Sequence, residues 1–313
     1  MTVRLTVRRN AWLTHVRAMA AAVDGVVPVV KGNGYGFGRA TLHPIADSIA
    51  NDVCVGTVHE LDHIADGVTP VVLTPTLAPP ADTAPVLTVG SVAHVDALRG
   101  WQGRVLVKLE SSIHRYGVSP HELHTLIEHA GRAGLDVVGT SIHLPLAGDD
   151  RSRVDEIEAW LTHLDPALPL WTSHLDPQSF AVLQRHHPRH TLRLRLGTAL
   201  WHGDKSFVHL WADVVDVRSV AARSTAGYRH VTVPADGHIV LVGAGSAHGV
   251  APLGGGLSPL HYAGRRVALL EPPHMHTSMG FIPLGAPCPA PGDRVDLQRP
   301  LISTQVDEID WQE

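Results

Sequence analysis

Cysteine is nearly absent from the 313-residue chain: Cys54 and Cys288 are the only two, too few for a disulfide framework and in no CxxC pair that would suggest a metal site. Contiguous positive charge is lacking as well. No run of five Lys or Arg occurs, and the formal net charge is -5 with a pI near 6.5, which argues against nucleic acid as a partner. There is no stretch of roughly 18 apolar residues such as a membrane span needs. The opening MTVRLTVRRN alternates charged with apolar residues instead of building the apolar core of a leader. These absences predict a cytoplasmic protein with no membrane partner. What is present is a globular composition, 44% hydrophobic, sufficient for one large domain or a large and a small one. Histidine is plentiful at 23, more than one site uses, so most must be surface or packing residues.

Short runs rich in Val, Leu and Ile recur eight times, at 27–31, 53–57, 70–74, 85–89, 104–109, 136–143, 168–175 and 191–197. They are apolar on both faces, as strands buried under flanking helices are. Helical periodicity lies between them. Ser119, Pro120 and Glu122 form a capping box with proline at the first helical position, and Leu123, Leu126, Ile127 and Ala130 then share a face. Val154, Ile157, Leu161 and Leu164 repeat the pattern, whereas the proline-rich connector at 75–84 predicts one unit without a helix. The spacing predicts a closed (β/α)8 TIM barrel, with an open doubly wound α/β sheet as the alternative. After Trp211 the runs become short, alternating and proline-bounded, which predicts a smaller all-β C-terminal domain. The expected boundaries are 7–212 for the barrel and 213–313 for the β domain, with residues 1–6 pairing with the latter.

The stretch VVPVVKGNGYGFGRA, Val26 to Ala40, ends the first run on Lys31 and follows it with Gly32, Gly34, Gly36 and Gly38. Chemistry in such a barrel sits where the strands end. An amine with apolar surroundings there has a lowered pKa and suits Schiff-base formation, and the glycines are expected to let the backbone approach a bulky bound group. The alternative is a lysine snorkelling from the rim above a flexible turn.

VVKGNGYGFG resembles the signature VVKANAYGHG of the alanine racemase family, whose lysine carries pyridoxal 5'-phosphate (PLP) and whose tyrosine touches the phosphate; the resemblance implies these roles for Lys31 and Tyr35. VKLESSIHRYGV (107–118) resembles VKxDTGMxRxGV, which implies that Arg115 faces the substrate carboxylate and that Lys108, carbamylated in some members, lies behind it. SIHLP (141–145) resembles THFA and implies that His143 packs on the cofactor ring. SHLDPQS (173–179) resembles HxANS with one residue inserted, and RLGTALWHG (195–203) resembles RPGxxLYG. Arg195 would then meet the pyridine nitrogen, His174 would hold Arg195, and Ser179, Gly197 and Thr198 would bind phosphate. A guanidinium keeps its proton, so the ring nitrogen stays largely unprotonated and the weakened electron sink favours simple proton exchange at an α-carbon.

The resemblance also fails in places. The family's catalytic tyrosine, in GYxDG, is supplied by a second subunit, so a homodimer is implied; the matching segment here is LVGAGSAHGV (241–250), with Ala244 in the tyrosine's place. His248, four residues on, is the expected replacement, since a pKa of about 6.5 suits proton shuttling better than a tyrosine's, about 10; the alternative is an ordinary loop histidine, and Tyr228 and Tyr262 are weaker candidates. EPPHMHTSMG (271–280) stands where the family has GRVxMDQ, so Met275 matches the methionine whose amide binds substrate carboxylate. His274 and His276 with Glu271 raise a divalent metal as a remote option, and no metal is expected. The family's C-terminal phosphate-contacting tyrosine has no counterpart. Together these readings imply a PLP-dependent racemase of a small amino acid; a PLP lyase or decarboxylase, or a PLP-binding protein without activity, stays open.

Overall fold

The computed structural model of the chain describes residues 2–203 and 205–313. These divide into two compact units, one of residues 14–32 and 39–203, the other of 2–13, 33–38 and 205–313. Among the described residues no helix is long and apolar enough to cross a membrane.

In chain order the elements begin with β1 (Val3–Arg8) and α1 (Arg9–Ala21), followed by β2 (Val26–Pro28), α2 (Arg39–Asp47), β3 (Asp52–Val55), β4 (Thr69–Val72) and β5 (Val86–Val89). Then come α3 (Val92–Ala97), β6 (Arg104–Lys108), α4 (Pro120–Arg132), β7 (Asp136–Ser141), α5 (Asp150–Leu161), β8 (Leu170–Ser173), α6 (Pro177–His186), β9 (Leu192–Leu196) and α7 (Thr198–Trp201). Strands β2 to β9 form one all-parallel sheet in the order β2-β9-β8-β7-β6-β5-β4-β3. The two ends meet at a parallel bridge between Val29 and Cys54, where the Val30 amide donates to the Cys54 carbonyl at 2.8 Å. The sheet therefore curls into a barrel, and the doubly wound alternative falls. All eight strands coincide with the apolar runs, and their cores, such as Val53, Val71, Leu87, Val105, Leu106 and Leu194, are fully buried.

Helix α4 starts where its sequence says it should: the Glu122 carboxylate accepts from the Ser119 amide at 3.0 Å and from its hydroxyl at 2.7 Å, with Pro120 in the first turn. Two connections lack an α-helix, where only one was expected. Besides 73–85, the link from β3 to β4 carries just a 3-10 turn, Val58–Glu60, capped by Thr57.

The second unit is built on antiparallel pairing. Its strands are β10 (Val208–Val220), β11 (Thr225–Ala226), β12 (Val231–Thr232), β13 (Gly237–Val242), β14 (Leu260–Tyr262), β15 (Arg265–Arg266), β16 (Ala268–Leu269), β17 (Ser278–Pro283), β18 (Arg294–Leu297) and β19 (Glu308–Gln312). The main sheet runs β15-β14-β18-β10-β13-β17-β16, while β1 pairs antiparallel with β10 and parallel with β19. The glycine-rich loop belongs to this unit. Phe37 stacks on Trp12 with ring centroids 4.8 Å apart, and the Asn33 side chain donates to the carbonyls of Leu301 and Thr304 at 2.7 and 2.8 Å. Gly36, at φ +92°, has no room for a side chain because a Cβ would lie 2.9 Å from Leu301 Cβ. The glycine at 36 makes room for the chain's own segment around Leu301, where the sequence suggested a bound group.

Candidate active site

Parallel strands in a barrel end on one face, so the residues at their C-terminal ends are brought together by topology alone. Lys31 follows β2, Glu60 follows β3, Lys108 is the last residue of β6, His143 follows β7, His174 follows β8, and Arg195 lies near the end of β9 with Gly197 and Thr198 just after. Arg115 is carried on the loop after β6, whose base is closed by Leu109 and Val118: the Val118 amide donates to Lys108 O at 3.0 Å and the Glu110 amide to Val118 O at 2.9 Å. Gly117 permits this turn, since a Cβ there would lie 2.5 Å from the Leu109 carbonyl carbon. The Arg115 guanidinium rests over the Tyr116 ring, 4.6 Å from its centroid.

The result is a mouth crowded with positive groups. Arg195 is 6% exposed and Lys108 4% exposed. Arg195 donates from Nε to the Thr172 carbonyl at 3.1 Å and from Nη2 to the Ile142 carbonyl at 2.5 Å. These two main-chain acceptors hold it, in place of His174. The His174 ring donates from Nδ1 to the Leu144 carbonyl at 2.7 Å and lies 4.7 Å, centroid to centroid, from the ring of His143. Loss of water and the charges of Arg195 and Arg115 hold the Lys108 ammonium far below its ordinary range. Lys31 is exposed overall, yet the same causes in the same order, loss of water and then Arg195 and Arg115, lower its pKa too. Glu60 and Cys54 act in the opposite direction on Lys31. Burial keeps the Cys54 thiol neutral, pushed up to about 12, and so inert as a nucleophile.

His143 is the most perturbed ring. Burial, Arg195, Lys108, His174 and Arg115 push its pKa down to about 2, so it stands as a neutral imidazole. Its Nδ1 lies 3.0 Å from the Ser173 hydroxyl, which also receives the Leu144 amide at 3.4 Å. Ser179 is otherwise committed. Asp176 caps α6 and takes both the Ser179 amide at 2.9 Å and its hydroxyl at 2.8 Å, which leaves no Ser179 donor for an anion.

The β unit holds the remaining expected residues. Tyr35 is buried at φ +55°. His248 is 8% exposed, and both of its ring nitrogens are engaged: Nδ1 accepts from the Gly245 amide at 3.1 Å, and Nε2 faces Asp307 Oδ2 at 3.3 Å. Ala244 is wholly buried, its carbonyl accepting from the Ser278 hydroxyl at 2.7 Å. Met275 exposes its side chain, while its carbonyl accepts from the Ala247 amide at 2.9 Å. His274 contacts Glu271 at 2.5 Å, and Glu271 also takes the amides of Tyr228 and Arg229. Among the described residues no three His, Cys, Asp or Glu side chains are grouped to hold a metal. The Tyr228 ring packs on His274, and the Tyr262 hydroxyl donates to Asp293 at 3.3 Å.

Glu60, Ser173 and Cys54 were missed by sequence reasoning as neighbours of these groups. A glutamate just past the end of a barrel strand was the available signal for the first; nothing local marks the other two.

A closed parallel barrel whose mouth gathers two lysines and two arginines, joined to a β unit built on antiparallel pairing, defines an α/β-barrel protein receptive to an anionic ligand. The family model for the alanine racemase N-terminal domain matches residues 7–204, and the chain belongs to the alanine racemase family. No curated protein matches it. Among solved structures it is similar to the alanine racemase of Bartonella henselae with covalently bound pyridoxal phosphate (TM-score 0.75, 16% identity, 100% of both chains). It is also similar to that of D-cycloserine-producing Streptomyces lavendulae (0.74, 19%, 100% of this chain and 97% of that one). A third is the Bacillus anthracis enzyme with bound L-Ala-P (0.75, 20%, 99% and 88%).

Proposed function

We propose that the chain is a PLP-dependent enzyme working at the α-carbon of a small amino acid, with racemisation as its reaction. The observation that carries this reading is the pairing of an exposed amine of lowered pKa, Lys31, with the cations Arg115, Lys108 and Arg195, none of which is paired with a carboxylate among the described residues. The donor set fits the group: an amine for an aldehyde, guanidinium groups for its anionic oxygens, a neutral imidazole to pack on an aromatic ring, and backbone amides at Gly197 and Thr198 for phosphate. When bound, PLP supplies an aldehyde carbon for an amine and a ring that acidifies the neighbouring α-hydrogen.

Lys31 holds the group and moves a proton at the α-carbon; its lowered pKa raises the share of neutral amine available for both tasks. Arg115 orients the substrate carboxylate. Arg195, kept in place by Thr172 and Ile142, presents a cation that does not surrender its proton. His143 stays neutral and adds no charge to the ring it supports. The reading gives Ser179 no phosphate contact and takes the second proton transfer away from His248, since their donors and acceptors are already used, so the proton for the opposite face comes from solvent, which reaches the exposed Lys31. A homodimer, testable by light scattering, is part of the same reading.

A second reading has its own support. With Ala244 buried and His248 committed, a one-base lyase or decarboxylase needs no opposing group. Borohydride reduction followed by peptide mass mapping should leave a pyridoxyl group on Lys31; a protein that takes up no PLP ends both readings. Incubating alanine and serine in deuterated water then separates them. Exchange with inversion supports the racemase, whereas release of an amine or keto acid supports the alternative.

A further inference from the structure

The residue that follows Lys31 is held through the peptide groups on both of its sides. The Gly32 amide donates to Glu60 Oε2 at 3.1 Å, and the Gly32 carbonyl accepts from Arg39 Nη1 at 3.0 Å. Glu60 Oε2 also takes the Gly56 amide at 2.9 Å, which ties the end of β2 to the end of β3 through one carboxylate. The bare Gly56 lets the carboxylate come this close. A Cβ there would stand 2.8 Å from Glu60 Oε2. Arg39 is fixed in turn by Asp62, with Nη2 2.8 and 2.9 Å from the two carboxylate oxygens and Nε 3.1 Å from Oδ1. Gly32 itself sits at φ +59° with no atom within 4 Å of where a Cβ would be, so no side-chain packing holds it and these polar contacts do.

We infer that Glu60 is a positioning residue for Lys31: with Arg39 and Asp62 it clamps the Gly32 peptide and thereby sets where the Lys31 amine stands in the barrel mouth. The inference rests on the reading of Lys31 as the reactive amine. Glu60 is also the carboxylate that opposes the cations acting on Lys31; the charged and titratable groups bearing on that amine are Arg195, Arg115, Cys54 and Glu60, with His174 also within its electrostatic reach. Clamp and counter-charge are thus one side chain. Gln at 60 keeps an acceptor for the two amides and removes the charge, whereas Ala removes both.

The chain has only three lysines, Lys31, Lys108 and Lys205, so Lys31 is easily followed by peptide mass spectrometry. The full chain, treated with hydroxylamine to strip any bound aldehyde, is labelled with acetic anhydride across a pH series, and Gly32 amide exchange in deuterated water is measured in parallel. In Glu60→Gln the midpoint for Lys31 labelling should fall by about half a pH unit, since a partly exposed carboxylate no longer favours the ammonium. In Glu60→Ala the Gly32 amide should exchange roughly tenfold faster. A labelling midpoint in Glu60→Gln equal to that of the parent, or an unprotected Gly32 amide in the parent itself, overturns the inference. A role confined to fold stability would move neither the midpoint in folded Glu60→Gln nor its direction. If Glu60→Gln does not fold, Glu60→Asp, which withdraws the carboxylate by one methylene, should lower the midpoint by a smaller amount, and an unchanged value again overturns the inference. Labelling reads the bare amine. A wild-type chain that binds no PLP therefore defeats the functional reading while leaving the Glu60 result standing on its own.

Discussion

Nε2 of His248 stands 3.3 Å from Oδ2 of Asp307. The other ring nitrogen accepts the Gly245 amide, so the ring proton sits on Nε2 and is directed at the carboxylate. Asp307 also receives the Val3 amide at 2.8 Å, and β1 pairs with β19 just beyond it. The histidine is a latch within the β unit.

His248→Ala should therefore act on stability. It leaves the buried Gly245 amide without a partner and removes one of the two contacts on Asp307 Oδ2, at a cost of about 1–3 kcal/mol. On protein that remains folded, the rate of alanine inversion should stay within roughly twofold of the parent. Urea unfolding and optical rotation measure the two quantities; a stable variant that exchanges the α-proton but has lost inversion would return His248 to the chemistry.

Acid should weaken the fold through His143. Its folded pKa is pushed down to about 2 from the ordinary imidazole value of 6.5. As pH falls below 6.5 the unfolded chain takes up a proton that the folded ring refuses, so stability contributed by the neutral ring is lost progressively between those two values. His143→Gln removes the titration. Urea midpoints at about pH 7 and pH 5 should therefore diverge more in the parent than in the variant, and equal slopes would show that the ring is not held neutral.

The barrel was legible because short apolar runs such as VLV at 105–107 and VLTV at 86–89 recur at a spacing that suits strands covered on both sides. Lys31, Lys108 and Arg195 were legible as neighbours because parallel strands share an end. Failures came where tertiary demand outweighed local pattern. Val58, Leu61 and Ile64 are spaced as on a helix, yet the segment folds as a 3-10 turn whose Glu60 serves Gly32 and Gly56. Gly36 answers to Leu301, far along the chain, and no local rule reaches that distance. Ser179 is different: Asp176 followed by Pro177 is a readable helix start, and it already implied that the serine's amide and hydroxyl would face the capping carboxylate.

Two glycines of the loop after Lys31 should behave unlike each other. Both have positive φ, +59° at Gly32 and +92° at Gly36, but a Cβ at Gly36 collides with Leu301 whereas one at Gly32 meets nothing. Gly32→Ala should cost about 1 kcal/mol for the backbone alone. Gly36→Ala should cost roughly 2–4 kcal/mol once overpacking is included. Urea denaturation of the two variants tests the ordering; equal losses would mean that the approach to Leu301 is looser than it stands here.

Lys108 offers the sharpest contrast between stability and function. It is 4% exposed, among the described residues no carboxylate pairs with it, and burial followed by Arg195 and Arg115 lowers its pKa well below 10.5. An amine whose folded pKa is depressed destabilises the fold at pH values where the unfolded chain is protonated, and the penalty fades as pH rises through the folded pKa towards 10.5. Lys108→Met keeps the length and discards the charge, so it should raise stability by about 1–3 kcal/mol near neutral pH, with the gain shrinking at alkaline pH. Urea midpoints on both sides of that range measure it. A carbamylated Lys108 would reverse the result, because its negative head would be a counter-charge to Arg115 and Arg195 and its removal would weaken the fold at neutral pH.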